Sequence, residues 1–187
     1  MKLKDFQQNV LNALKDRPLF SEEHPYFTTL KDSYPYRLTQ ETVVYWRASQ
    51  ISRICVLTTR YLQAKGRLGE VILQLYREQS LSNFAEEISF FFLDRMSGSE
   101  DPVLASVAAF ERSHLGLRFR RSTPPVAYWQ YAPAGILHAL MKNEYSDECL
   151  IDGGFVTVVS DKPEQNFEIY TIEEWHTLEN ERAPINQ

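Results

Sequence analysis

The sequence predicts an α+β fold: an N-terminal helical domain followed by a small α+β lobe with a short antiparallel sheet. Three observations predict it. From Leu3 to Phe110, apolar residues recur at spacings of three and four, as on helices that bury one face. Beyond residue 115 the spacing turns to alternation, beginning at Leu117-Arg118-Phe119-Arg120. Further on, the apolar run Phe155-Val156-Thr157-Val158-Val159 lies between the turn formers Asp152-Gly153-Gly154 and Asp161-Lys162-Pro163, and so reads as a strand. Residues 1–116 are therefore assigned to the helical domain, with 1–38 as its N-terminal helix and linker, and residues 117–187 to the lobe.

The elements follow in order. Leu3, Phe6, Val10, Leu11 and Leu14 share one helix face, so residues 3–16 form an amphipathic helix that stops before Pro18. Residues 17–38, with Pro18, Pro25 and Pro35 among aromatic and charged residues, read as an irregular linker. Thr39 suits an N-cap, with Thr42 three residues on. The helix it opens carries Ile51, Ile54, Cys55, Thr58, Tyr61 and Leu62 on one face and ends at Gly66. Leu68, Val71, Ile72, Leu75 and Tyr76 form a short helix. Ser82 is suited to cap the next, whose Phe84, Ile88, Phe91 and Phe92 make an aromatic face before Met96-Ser97-Gly98-Ser99 breaks it. Pro102 fits the first turn of a further helix, where its missing N–H costs nothing, and Val103, Val107 and Phe110 line the inner side. In the lobe, Leu117–Arg120 reads as a half-buried strand and Thr123-Pro124-Pro125 as a break. Pro133 opens a helix bearing Ile136, Leu137, Leu140 and Met141. Phe155–Val159 and Phe167–Ile172 pair as an antiparallel hairpin, and Glu173–Asn180 forms a short terminal helix.

The totals bound what the chain does. Of 187 residues, 43% are hydrophobic and 13% aromatic, enough to pack a core, so disorder is expected only at the ends. A net charge of −5 argues against sequence-independent binding to nucleic acid, which rests on Lys and Arg neutralising phosphates. The two cysteines, Cys55 and Cys149, could pair, but two cysteines far apart in sequence are not a disulfide framework, and Cys55 reads as a small buried hydrophobe. The opening MKLKDFQQNV lacks the apolar centre of a signal peptide, and no apolar run approaches the roughly 18 residues needed to cross a bilayer. The expected location is the cytoplasm, with no membrane partner.

Motifs that carry chemistry are few. Glu111 with His114 and Glu173 with His176 each have the Glu-x-x-His spacing that, with two more carboxylates such as Glu86, Glu87 or Asp94, builds a di-iron site in a four-helix bundle. The second pair, however, lies after the β region, outside any bundle, so no metal ligands are assigned. His24 and His138 have no patterned partners. No nucleophile elbow, phosphate-binding loop, His-Glu-x-x-His or Cys-x-x-Cys is present. Arg112, Arg118, Arg120 and Arg121, with Phe119 interleaved, make the one local basic cluster. It reads either as a dock for an acidic peptide, phosphate or partner surface, or as a solvated face. It is too small to imply nucleic acid. Phe155–Val159, apolar on both faces, is either the central strand of a small sheet or a strand whose free edge takes an extended peptide.

The helical part also resembles a known family. The residues that carry the likeness are Tyr45-Trp46, the helix ending in Tyr61-Leu62 before Gly66, Asn83-Phe84-Ala85-Glu86-Glu87-Ile88 through Phe92-Leu93, and Pro102-Val103-Leu104 through Ala108-Phe110-Glu111. They resemble the partner proteins encoded beside multinuclear non-haem iron oxidative enzymes in ribosomal peptide natural-product biosynthesis, some of which are labelled as carrying a DNA-binding domain. The likeness covers about residues 40–112. It implies that this chain is not itself an enzyme and holds no cofactor, the iron belonging to a TIM-barrel partner subunit. It implies that the chain docks that enzyme, through Tyr45 and Trp46, and presents a precursor peptide to it. The peptide would then be held by Phe155, Val156, Thr157, Val158 and Val159 together with Arg118, Arg120 and Arg121. Residues 1–38 have no counterpart in the likeness. The alternatives are a DNA-binding regulator and, with less behind it, a stand-alone di-iron enzyme.

Overall fold

The computed structural model describes residues 3–14, 27, 29–30, 33–78, 84–160 and 166–182. Among these, the helices are α1 (Leu3–Leu14), α2 (Tyr34–Ile54), α3 (Val56–Ala64), α4 (Leu68–Glu78), α5 (Ala85–Ser97), α6 (Pro102–Arg118), α7 (Pro133–Lys142) and α8 (Ile172–Arg182). The strands are β1 (Val126–Tyr131), β2 (Asp152–Val159) and β3 (Phe167–Thr171), and a short 3₁₀ turn spans Asp147–Cys149. The fold is α+β, mainly helical, with one small antiparallel sheet in the order β1-β2-β3.

α2 begins earlier than the sequence predicts. Ser33 caps it by accepting from the Tyr36 N–H, and Pro35 occupies its first turn rather than a linker. Thr39 and Thr42, expected as cap residues, instead donate back to the carbonyls of Pro35 (2.8 Å) and Leu38 (2.7 Å) inside the helix. The single helix predicted to run to Gly66 is also broken at Cys55, whose backbone leaves the helical region (φ −99°, ψ 62°), and α3 starts afresh at Val56. Gly66, at φ 67°, takes the left-handed conformation that closes α3, as expected. The predicted cap Ser82, His24, most of the linker and the turn Asp161-Lys162-Pro163 lie outside the described residues.

α6 is the central element. Asp101 caps it, its carboxylate accepting from the N–H groups of Val103 (3.1 Å) and Leu104 (3.2 Å), and Pro102 sits in the first turn. The helix continues to Arg118, so the strand expected at Leu117–Arg120 is its last turn. Helical hydrogen bonding persists there because the Phe119 N–H still reaches the Leu115 carbonyl (2.9 Å), and Arg120, at φ 52°, then reverses the chain. The chain folds back so tightly that a Cβ on Gly116 would lie 1.6 Å from Thr123 Oγ1. The strand of the alternating segment comes one step later, at Val126–Tyr131.

The sheet lies between two helices. Ala127, Trp129, Phe155 and Val159 face α6, where Phe110 meets Trp129 and Phe167 edge-on at 5.9 and 5.1 Å. On the other face Val156 and Tyr170 are opposite one another, Val156 is wholly buried, and Trp175 of α8 packs on Tyr170 at 6.0 Å. Between Trp129 and Tyr131 the β1–β2 register slips by one residue. The slip falls beside Gly153 and Gly154, which belong to β2 instead of a preceding turn. Gly154 leaves room for Ile172, whose Cδ1 would be 2.5 Å from a Cβ there. The predicted hairpin is present, with Val159 opposite Phe167 and Phe155 opposite Thr171. One hydrophobic cluster contains Ile51, Leu62, Phe92 and Leu104 as well as Trp129, Ile136 and Val159, so it runs across residue 116 without a break.

Candidate functional site

The main-chain groups of the sheet decide what can add to it. The Val159 N–H donates to the Pro125 carbonyl (2.7 Å) and the Ser160 N–H to the Asn166 carbonyl (3.1 Å). In an antiparallel pair hydrogen-bonded and non-hydrogen-bonded residues alternate. The odd residues of β2 therefore bond β1 and its even residues bond β3. Both sides of β2 are thereby taken. The assignment of Phe155, Val156, Thr157, Val158 and Val159 as the strand that receives a peptide is corrected on this ground. Val156, Thr157 and Val159 are also buried, and Thr157 Oγ1 accepts the Trp129 indole N–H (2.9 Å).

The same alternation turns the N–H and C=O groups of Val126 and Tyr128 outward on β1, and those of Phe167, Ile169 and Thr171 outward on β3. The β3 edge is partly closed. The Thr171 N–H donates to Glu174 (2.8 Å), and the Thr171 hydroxyl accepts from the Glu174 N–H (3.2 Å), a reciprocal cap that starts α8. The β1 edge carries the exposed Tyr128 side chain.

The arginine cluster divides. Arg112 pairs with Asp94, and Arg121 pairs with Glu86 (3.2 Å) while its guanidinium lies 4.3 Å above the Phe90 ring. Both thus tie the end of α6 to α5. Arg118 rests on Phe119 at 5.5 Å, and Arg118 and Arg120 have no carboxylate partner among the described residues. They stand at the end of α6, a few residues before β1 begins. Of the predicted set, Arg118 and Arg120 remain open to a ligand and Arg121 is committed to the fold.

Glu111 is buried and structural. Its Oε1 accepts from the Leu57 N–H (2.8 Å) and its Oε2 from the Thr58 N–H (3.0 Å), so a side chain of α6 caps the N-terminus of α3, which Cys55 does not cap itself. Burial pushes the Glu111 carboxyl up, and the two backbone N–H bonds pull against that shift. Beside it, burial followed by the charge of Glu111 raises the Cys55 thiol. His114 packs edge-on against Phe110 (4.6 Å) and Phe167 (6.2 Å), and burial lowers its pKa. Glu173 and His176 lie on α8, across the sheet from α6. His176 is exposed and next to Glu179 (3.6 Å). The two Glu-x-x-His pairs are therefore not brought together. Among the described residues no three His, Cys, Asp or Glu side chains are grouped to hold a metal ion, and Cys55 and Cys149 are free thiols.

Sequence reasoning missed one polar cluster. The Lys65 ammonium contacts both oxygens of Asp147 at 2.7 Å and lies 5.8 and 5.7 Å from the rings of Tyr61 and Tyr145, which meet edge-on at 4.9 Å. The Tyr145 hydroxyl donates to Asp147 (3.1 Å) and the Tyr61 hydroxyl to Asp101 (2.8 Å). Burial, then the carboxylate each hydroxyl faces, raises both tyrosines, while the Lys65 contact lowers the Asp147 carboxyl. Close by, Arg60 caps the end of α7 by donating to the carbonyls of Leu140 (3.0 Å) and Met141 (2.7 Å). These contacts fasten α3 to α7 and the 3₁₀ turn. No single-sequence signal could have found the ties to α7 and the 3₁₀ turn, since Lys65 and Asp147, and Arg60 and Leu140, are 82 and 80 residues apart.

Tyr45 and Trp46 are both exposed on α2, and the Arg47 guanidinium stacks 4.8 Å from the Trp46 ring. Among the described residues no helix is long and apolar enough to cross a membrane. No family model, curated protein or solved structure matches the chain.

Proposed function

We propose that the chain is a non-catalytic partner subunit that holds an extended precursor peptide and presents it to an iron-dependent oxidative enzyme of the TIM-barrel, multinuclear non-haem type. The observation that carries the reading is the outward-facing main chain of β1 at Val126 and Tyr128, a strand that begins a few residues after Arg118 and Arg120, whose guanidinium groups have no carboxylate partner among the described residues. An extended peptide gains main-chain hydrogen bonds from such an edge, and an acidic residue in it gains a charge-assisted bond from an arginine. The blocked Thr171 N–H on β3 favours β1 as the receiving edge. The exposed Tyr45 and Trp46 supply apolar surface for docking the enzyme, and the helical resemblance supplies the kind of enzyme. In this reading the iron belongs to the partner, and this chain raises the local concentration of substrate at its site.

Co-expression with a TIM-barrel, multinuclear non-haem iron enzyme and a precursor peptide tests the reading. The expected result is a co-purifying pair whose peptide modification needs this chain. Tyr128→Pro removes one outward N–H from an edge strand, a change such strands tolerate, and is expected to weaken peptide binding; Ile169→Pro is the matching control on β3. If the enzyme neither co-purifies nor depends on this chain, the reading fails.

A further inference from the structure

We propose that, in the free protein, the exposed face of α2 is covered by α2 of a second copy, in an antiparallel two-fold pair. Tyr34, Leu38 and Tyr45 are 70%, 48% and 77% exposed, and their spacings of four and seven align them as one stripe along the helix. The opposite side of α2 is already packed: Ile51 is in the core, and Tyr36 and Gln40 bond the Ala13 carbonyl of α1. A helix with apolar residues on both sides is one that ordinarily has neighbours on both sides.

The charges beside the stripe identify the occupant. Arg37 and Glu41 are both exposed, one turn apart, and neither has an ion-pair partner among the described residues. A face with one positive and one negative group flanking an apolar centre is its own complement under two-fold rotation. Centring the pair near Thr39 brings Tyr34 of one copy to Tyr45 of the other. It also brings each Arg37 to the other copy's Glu41. A stripe of three large side chains is smaller than the interfaces of stable dimers, so the association is weak and depends on concentration. The inference does not rest on the adaptor function. A dimer that never meets an iron enzyme would satisfy it, and an adaptor that stays monomeric would overturn it alone.

Sedimentation velocity of the full chain, from low micromolar to several hundred micromolar, tests it with two charge-reversal variants. Wild type is expected to show reversible dimerisation. Arg37→Glu alone and Glu41→Arg alone each set like charges opposite one another and should weaken it at least about tenfold. An equimolar mixture of the two variants should restore a dimer containing one of each. Circular dichroism checks that both variants fold, as expected for exposed positions. Wild type that stays monomeric throughout, or a mixture that associates no better than its components, overturns the proposal.

Discussion

Replacing Glu111 is the most informative perturbation of this fold. Its two oxygens take the N–H groups of Leu57 and Thr58, both at the start of α3. Leaving a buried donor without its acceptor costs about 1–3 kcal/mol, and losing a helix cap costs about 0.5–2 kcal/mol. These overlap, because both count the same N–H groups. Glu111→Ala should therefore destabilise by about 3 kcal/mol, which for a chain of this size lowers Tm by about 6–12 °C. Glu111→Gln keeps one acceptor and should cost roughly half as much. The pH dependence adds a sign. Burial raises the Glu111 carboxyl above its ordinary 4.5 in the folded state. The folded state thus binds this proton more tightly than the unfolded chain. The stabilisation is fully present below 4.5 and is lost as pH rises through the folded value, at no more than about 1.4 kcal/mol per pH unit. Urea unfolding of wild type and Glu111→Gln across mildly acid to neutral pH measures it. The gap between the two should be widest at the acid end and narrow toward neutrality. A Glu111→Ala loss under about 1 kcal/mol would refute the capping argument, and parallel wild-type and Gln profiles would refute the raised carboxyl.

Other predictions test separate contacts. Gly116→Ala should destabilise by about 1–3 kcal/mol, because its Cβ meets Thr123, and Thr123→Gly in the same chain should recover part of the loss in chemical denaturation. A double-mutant cycle on Lys65→Met and Asp147→Asn should give a coupling of about 0.5–1 kcal/mol that shrinks in high salt, since both side chains are partly solvated. Tyr45→Ala with Trp46→Ala should leave the unfolding midpoint almost unchanged while, on the proposed function, weakening pull-down of the proposed iron-enzyme partner; equal retention would remove these residues from the proposed interface. Phe110→Ala, which empties the contact among Trp129, Phe167 and His114, should cost about 3–5 kcal/mol in thermal or urea unfolding.

What was legible in the sequence was local. Pro102 and Gly66 mark a helix start and end because proline and glycine act through their own backbone geometry. The β2–β3 hairpin is legible because its apolar runs are flanked by turn formers. The break at Cys55 is not, because the residue that stabilises the new N-terminus is Glu111, fifty-four positions from Leu57. The last turn of α6 reads as a strand in sequence because Leu117-Arg118-Phe119-Arg120 alternates in polarity. Four residues of alternation cannot outweigh a helix already propagating from Pro102. β1, Val126–Tyr131, carries a usable signal in its valine, tyrosines and tryptophan, residue types that favour strands.

The candidate site shows the same limit more sharply. Arg121 and Arg118 are equivalent in sequence: each is an arginine in one short cluster. Only the arrival of Glu86 from α5 makes one a structural tie, and only the order β1-β2-β3 makes Phe155–Val159 an interior strand. Which group is free is a property of the neighbours that the fold brings. It follows that the groups open to a ligand are those that tertiary structure has not spent. By that criterion the β1 edge, Arg118 and Arg120 belong together, and α6 joins them rigidly to the helical body. The core that crosses residue 116 gives that coupling a physical basis. A peptide held at β1 would be oriented by the same helix whose Glu111 sets the start of α3. Loosening that cap should therefore disturb peptide presentation as well as stability, and a Glu111→Gln chain that is less stable yet presents peptide unchanged would separate the two.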